Sequence, residues 1–127
     1  MNFFEENNYQ IIKNDKGNIF KFADVDNYSD FINGEIYFSE VNPNTSKPWR
    51  RHKRINTVIG VVSGEINIKI RSDNSNQLIS KKLSLKNSTL IKIKFGTWYA
   101  FENQKNIPCL LFAMLDKKHD DGEVERL

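Results

Sequence analysis

The stretch TVIGVVSGEINIKIRS, residues 57–72, decides the fold. In its second half Ile66, Ile68 and Ile70 alternate with polar residues, which puts all three on one face of an extended chain. Its first half is apolar almost without a break, as in a buried strand, and Ser63-Gly64 between the halves is a turn signal. Working outward, NIFKFA (residues 18–23), GEIYFSEV (34–41) and LIKIKF (90–95) alternate in the same way. Turn signals stand between them at 42–46, 73–76, 86–88 and 105–108. About eight short strands with turns every ten or so residues predict one all-β domain over 1–127, an antiparallel sandwich or barrel.

Helix signals are few. NYSDFINGE predicts one turn capped by Ser29, and the tail DDGEVERL predicts another after Gly122, but neither carries a sustained apolar stripe. The only cysteine, Cys109, lies in the apolar run IPCLLFAML, so no disulfide forms within the chain and buried filler is its expected role. No run approaches the roughly 18–20 apolar residues that span a bilayer. The N-terminal MNFFEENNYQ places acids where a signal peptide carries bases. A cytoplasmic protein without a membrane partner is expected.

The 19 basic and 16 acidic residues give a net charge of +3. Five of the bases fall in KPWRRHKR, Lys47 to Arg54, which holds no acid; the rest of the chain has 14 bases against 16 acids, a balance of −2. A duplex needs a broad basic face, so nucleic acid is not the expected partner, whereas one compact cationic spot suits a diphosphate.

His52 sits among these guanidinium groups at the entrance to a buried strand. That setting disfavours its charged form and leaves a neutral imidazole able to take a proton. If the segment is extended, Arg50, His52 and Arg54 share a face and Arg51 and Lys53 point the other way; the first trio is assigned to the cavity, with Lys53 a further available cation. In KFGTWYAFEN (94–103) Tyr99 and Phe101 point one way and Trp98 the other, and a phenol facing a cavity can donate a proton. Glu35, Tyr37 and Ser39 form a same-face set on GEIYFSEV that either binds a ligand and orients His52 or faces the outside, since register is open at this level. His119, in the charged tail KKHDDGE, reads as exposed and outside any site.

Four segments in order, WRRHK (49–53), VVSGEI (61–66), FGTWYAFEN (95–103) and LDKKHDDGEVERL (115–127), resemble the cupin enzymes that act on nucleotide-linked 4-keto sugars. The nearest likeness is to short members of the dTDP-4-dehydrorhamnose 3,5-epimerase family, over residues 34–127. A more distant one is to the sugar 3,4-ketoisomerases, whose HxHK segment would fall on Arg50, His52 and Lys53. The resemblance implies a cupin-type jelly-roll barrel, paired as a homodimer, with a nucleotide-diphosphate sugar at the barrel mouth and a role in surface polysaccharide biosynthesis. It implies that a histidine, here His52, removes the proton alpha to the ketone, that a cation stabilises the enolate, and that a tyrosine returns the proton. Tyr99 is the candidate donor, with Arg50, Arg54, Lys53, Tyr37, Glu35, Trp98 and Asn103 as substrate contacts.

The family pattern is not matched throughout. Its arginine before the histidine falls on Trp49, its strand lysine on Thr57 and its tyrosine on Phe112, and the chain ends before the region expected to supply the acid that pairs with the histidine. The cupin metal-ligand positions fall on Arg50, His52, Asn56 or Thr57, and Tyr99, so neither a metal nor another cofactor is expected. An epimerase-like enzyme is the leading reading; a 3,4-ketoisomerase and a catalytically silent sugar-nucleotide binder are the alternatives.

Overall fold

The alternating segments become strands of two packed sheets. In chain order the elements of the computed structural model are β1 (Phe4–Asn8), β2 (Gln10–Ile12), β3 (Ile19–Lys21), α1 (Val25–Tyr28), β4 (Glu35–Val41), β5 (Thr45–His52), β6 (Thr57–Ser63), β7 (Glu65–Arg71), β8 (Ile79–Ser84), β9 (Thr89–Ile93), β10 (Trp98–Asn103), β11 (Cys109–Leu115) and β12 (Val124–Arg126). The structure describes residues 3–31, 33–74 and 76–127, with the backbone alone at Val25. One sheet runs β1-β9-β6-β11-β4 and the other β12-β5-β10-β7-β8, with β2 and β3 a separate hairpin. All pairings are antiparallel.

Ile66, Ile68 and Ile70 are at most 1% exposed and pack between the sheets with Ile59, Val61, Ile91, Tyr99, Phe101 and Leu111. Cys109 lies in the same core, fully buried and free, and burial pushes its thiol up to about 11. The continuous apolar run of β6 has its own cause. Its second face, at Val58, is covered by Tyr9, Phe22 and Phe31 from the N-terminal arm, so the strand is buried on both sides. Between β6 and β7, Gly64 has φ of +82° and stands where a Cβ would come 2.7 Å from the Pro108 carbonyl oxygen. Only glycine fits this turn without strain.

Two expected helical turns are corrected. The helix cap is Asp24, whose carboxylate accepts the Asn27 amide, while Ser29 begins a 3₁₀ turn to Phe31; Ile32, inside the predicted segment, lies outside the described residues. Past Gly122 the tail is strand β12, because the free edge of β5 offers it a ladder: Val124 pairs with His52, Glu125 with Arg51 and Arg126 with Arg50. The predicted turn at 73–76 forms at Asp73 and Asn74, with Ser75 outside the described residues. Among the described residues no helix is long and apolar enough to cross a membrane.

Candidate functional site at the barrel mouth

Strand β5 brings three basic side chains inward by an irregular route. Its register against β10 slips, with Tyr99 opposite Arg50 but Phe101 opposite Lys47, so β5 carries one extra residue. The bulge turns Lys47 to the inner face with Arg50 and His52, where its ammonium donates to Ser39 Oγ at 2.8 Å. Burial, and next Arg50, push the Lys47 amine down. Strict alternation would turn Lys47 to the face opposite Arg50.

His52, the last residue of β5, is 4% exposed. Its Nδ1 stands 3.6 Å from Glu123 Oε2, just beyond hydrogen-bond length. Glu123 thus puts an acid beside the histidine from within the tail, where the sequence offered no candidate. Gly122, at φ +84°, turns the tail so that the Glu123 side chain is wholly enclosed. There it accepts from the backbone amides of Arg54 (2.8 Å) and Ile55 (3.0 Å) and from Arg54 Nε (3.1 Å). Burial alone would raise its pKa, but those donors and His52 together hold the carboxyl below its usual range. Burial also pushes the His52 imidazole down; Glu123 opposes this, and Arg50 and His119 add to it.

Beside His52, Tyr37, Ser39, Arg50, Thr57 and Tyr99 line the barrel interior with four apolar neighbours. The cavity left there is about 10 Å³, room for one water molecule. The Arg50 guanidinium lies 5.8 Å from the centre of the Tyr99 ring, and the His52 and Tyr99 rings stack at 6.4 Å. Burial raises both phenols, Tyr37 and Tyr99, with Arg50 pulling against it in each. The Thr57 hydroxyl, buried at the position the resemblance matches to a lysine, has no partner among the described residues. On the solvent side of His52 stands His119, its ring edge-on at 6.1 Å, with its backbone N–H donating to Glu35 Oε2 at 3.4 Å.

The structure therefore gathers Arg50, His52, Tyr37, Tyr99 and Glu35 from the expected set, and adds Glu123, His119 and Lys47. It does not bring in the other four. Arg54 lies past the end of β5, so alternation no longer aims it inward; its side chain, 62% exposed, pairs with Asp120 and Glu123. Lys53 is exposed and bonds the tail only through its backbone, to the Glu123 carbonyl. Trp98 faces outward, where its indole donates to Asp73 and Arg51 stacks 4.5 Å above it. Asn103 spends its amide on the carbonyls of Val41, Asn42 and Ile107 and on the Lys105 amide, which makes it a loop clamp. His119 is exposed as expected, yet it stands at the mouth. Nothing local distinguishes Glu123 from its acidic neighbours; only the pairing of β12 with β5 reveals it.

At the expected metal-ligand positions Arg50 is a cation and Asn56 is already committed. Asn56 bonds Asp116 twice and accepts the Phe95 amide, and among the described residues no three His, Cys, Asp or Glu side chains converge.

No protein-family model matches the chain, and no curated protein does. Solved structures do match. A dTDP sugar isomerase from Desulfovibrio desulfuricans superposes with a TM-score of 0.88 at 28% identity, over 98% of this chain and 83% of that one. A dTDP-6-deoxy-D-glucose-3,5-epimerase from Legionella pneumophila, in complex with dTDP-4-keto-L-rhamnose, gives 0.85 at 12% identity over 100% and 73%. A sugar 3,4-ketoisomerase from Thermoanaerobacterium thermosaccharolyticum, in complex with TDP, gives 0.77 at 14% over 98% and 88%. At such low identity the last two speak to the fold alone. The chain is a cupin jelly roll similar to the dTDP-sugar isomerases and epimerases.

Proposed function

We propose that this protein is an epimerase-like enzyme acting on a dTDP-linked 4-keto-6-deoxy sugar, by proton abstraction alpha to the ketone. The observation that carries the reading is His52 itself: a buried imidazole at a jelly-roll mouth, backed by a buried carboxylate and flanked by a guanidinium. Glu123 behind Nδ1 leaves Nε2 for the substrate, and burial keeps the ring neutral and ready to accept a proton. As the C–H bond breaks, its electron pair moves onto the carbonyl oxygen, and Arg50 stands in the right neighbourhood to stabilise that charge. The likeness to dTDP-sugar isomerases supplies the substrate class. A cytoplasmic setting and a part in making surface polysaccharide, including lipopolysaccharide, go with that substrate.

A homodimer is part of the proposal. β4 is the open edge of its sheet, and Ile36 (60% exposed) and Phe38 (63%) stand on it, an apolar rim that a second copy would cover. Light scattering of the purified protein tests this, and a monomer at working concentration refutes it.

Incubation of dTDP-4-keto sugars with the protein in deuterated water tests the activity. Deuterium at the carbon alpha to the ketone, lost in His52→Asn with binding retained, is the expected result. Movement of the carbonyl would identify a ketoisomerase. Binding without either change would identify a silent binder.

A further inference from the structure

Inverting a carbon needs acid–base groups on both of its faces, because the base that removes a proton can return it only to the side it came from. A reacting carbon sits about 3–3.5 Å from each such group, so the two stand about 6–7 Å apart. Neither the position where the resemblance puts this second group nor the sequence's own candidate, Tyr99, serves. Phe112, where the resemblance puts a tyrosine, points out of the barrel and packs on Phe22 and Phe38. Tyr99 faces inward, 2% exposed and against the His52 ring, and burial raises its phenol. The side of His52 left open to a substrate is the outer one, toward the exposed tail loop.

On that side stands the chain's other imidazole, His119, with its ring centre 6.1 Å from that of His52 and its plane turned 87° to it. Its loop is tied to the mouth from both directions. Glu35 on β4 accepts the His119 amide, and Glu123, four residues on, is bonded into the corner after β5. Tyr37 is the remaining phenol near the mouth, but burial pushes its pKa further up, which makes it a reluctant acid.

We propose that His119 is a second catalytic residue, which delivers a proton to the face of the substrate carbon opposite His52. This rests on the reading of the site as a 4-keto-sugar enzyme. His52 takes the proton and the electron pair passes to the ketone oxygen as an enolate. The enolate carbon then takes a proton from the His119 imidazolium as the carbonyl re-forms. Solvent removes the proton from His52 and restores the one on His119, so the cycle closes without a co-reactant.

The test compares wild type, His119→Asn and Tyr37→Phe with TDP-4-keto-6-deoxyglucose in deuterated water, reading isotope and configuration by NMR and binding by calorimetry with TDP. His119 is exposed, so its variant is expected to fold. The expected result is that His119→Asn binds TDP as the wild type does and still washes deuterium into the sugar, but forms the inverted product at least about 100-fold more slowly. Tyr37→Phe, which alters the lining of the site, is expected to turn over more slowly but still to form the inverted product. Three results overturn the role: inversion at the wild-type rate in His119→Asn, exchange lost in step with inversion, or inversion lost only in Tyr37→Phe. A wild type that exchanges without inverting refutes His119 and leaves the reading of the site intact. A wild type that neither exchanges nor moves the carbonyl sinks that reading and this role together.

Discussion

Replacing Glu123 with alanine asks whether one enclosed carboxylate organises this site. Its side chain has no solvent exposure and accepts the Arg54 and Ile55 amides at 2.8 and 3.0 Å. Alanine leaves both amides without an acceptor. Ile55 is 1% exposed, so its N–H is sealed from water and costs about 1–3 kcal/mol; the Arg54 amide lies closer to solvent and costs less. The expected loss is about 2–4 kcal/mol for alanine and about 1–2 kcal/mol for glutamine, which keeps an acceptor oxygen but no charge. Urea unfolding at pH 7 measures it, and the slope of the transition should not change. The sign with pH also follows. The Glu123 carboxyl is depressed in the folded state, so its contribution is present above the ordinary carboxyl value of 4.5 and vanishes as pH falls through the folded value. The alanine variant should therefore differ most from wild type near neutrality and least in acid. A loss below about 0.5 kcal/mol at pH 7, the range of ordinary surface changes, would refute the reasoning.

Arg50→Ala is expected to weaken binding of the nucleotide sugar and leave the remaining affinity less sensitive to salt, as titration calorimetry at two ionic strengths would show. Asn103→Ala strips a donor from three carbonyls and should cost about 1–3 kcal/mol in urea unfolding while leaving that binding unchanged. Because burial depresses His52 in the folded state, the unfolded chain takes up this proton first, so stability should fall as pH drops below 6.5 toward the folded value. His52→Asn should remove that part of the slope. Elemental analysis should find no stoichiometric transition metal, and a chelator should leave the unfolding midpoint where it was.

Where strand phase held, the sequence was a sound guide: the Ile66, Ile68, Ile70 row, the shared face of Tyr37 and Ser39, and that of Tyr99 with Phe101 follow from alternation, while the inward turn of Tyr37 and Ser39 comes from the register of β4 in its sheet. Alternation fails where a strand ends or takes in an extra residue. β5 stops at His52, which sends Arg54 outward, and its bulge turns Lys47 in, an offset of three positions from Arg50 that a strict period of two forbids. The remaining losses are of long range. Glu123 meets His52 across 71 residues, and Asn103 clamps Val41 across 62. Such partners carry no local signature, because an acid after a glycine or an asparagine after aromatics reads the same in a solvated loop.

The acid and the second histidine come from one short stretch, and this ties the chemistry to the docking of the tail. β12 pairs with β5 through three residues at a sheet edge, too few to hold the tail by the ladder alone. The ion pairs of Arg54 with Asp120 and of Arg51 with Glu125 are at least partly exposed and add little. The enclosed Glu123 carboxylate is left as the strongest anchor. It carries the loop bearing His119 with it, and Glu35 fixes that loop from β4. One buried charge thus opposes, from behind, the burial that lowers the proton affinity of His52, and holds His119 in position in front. For that reason an acidic side chain at position 123, rather than a well-packed apolar one, is what this corner of the barrel requires.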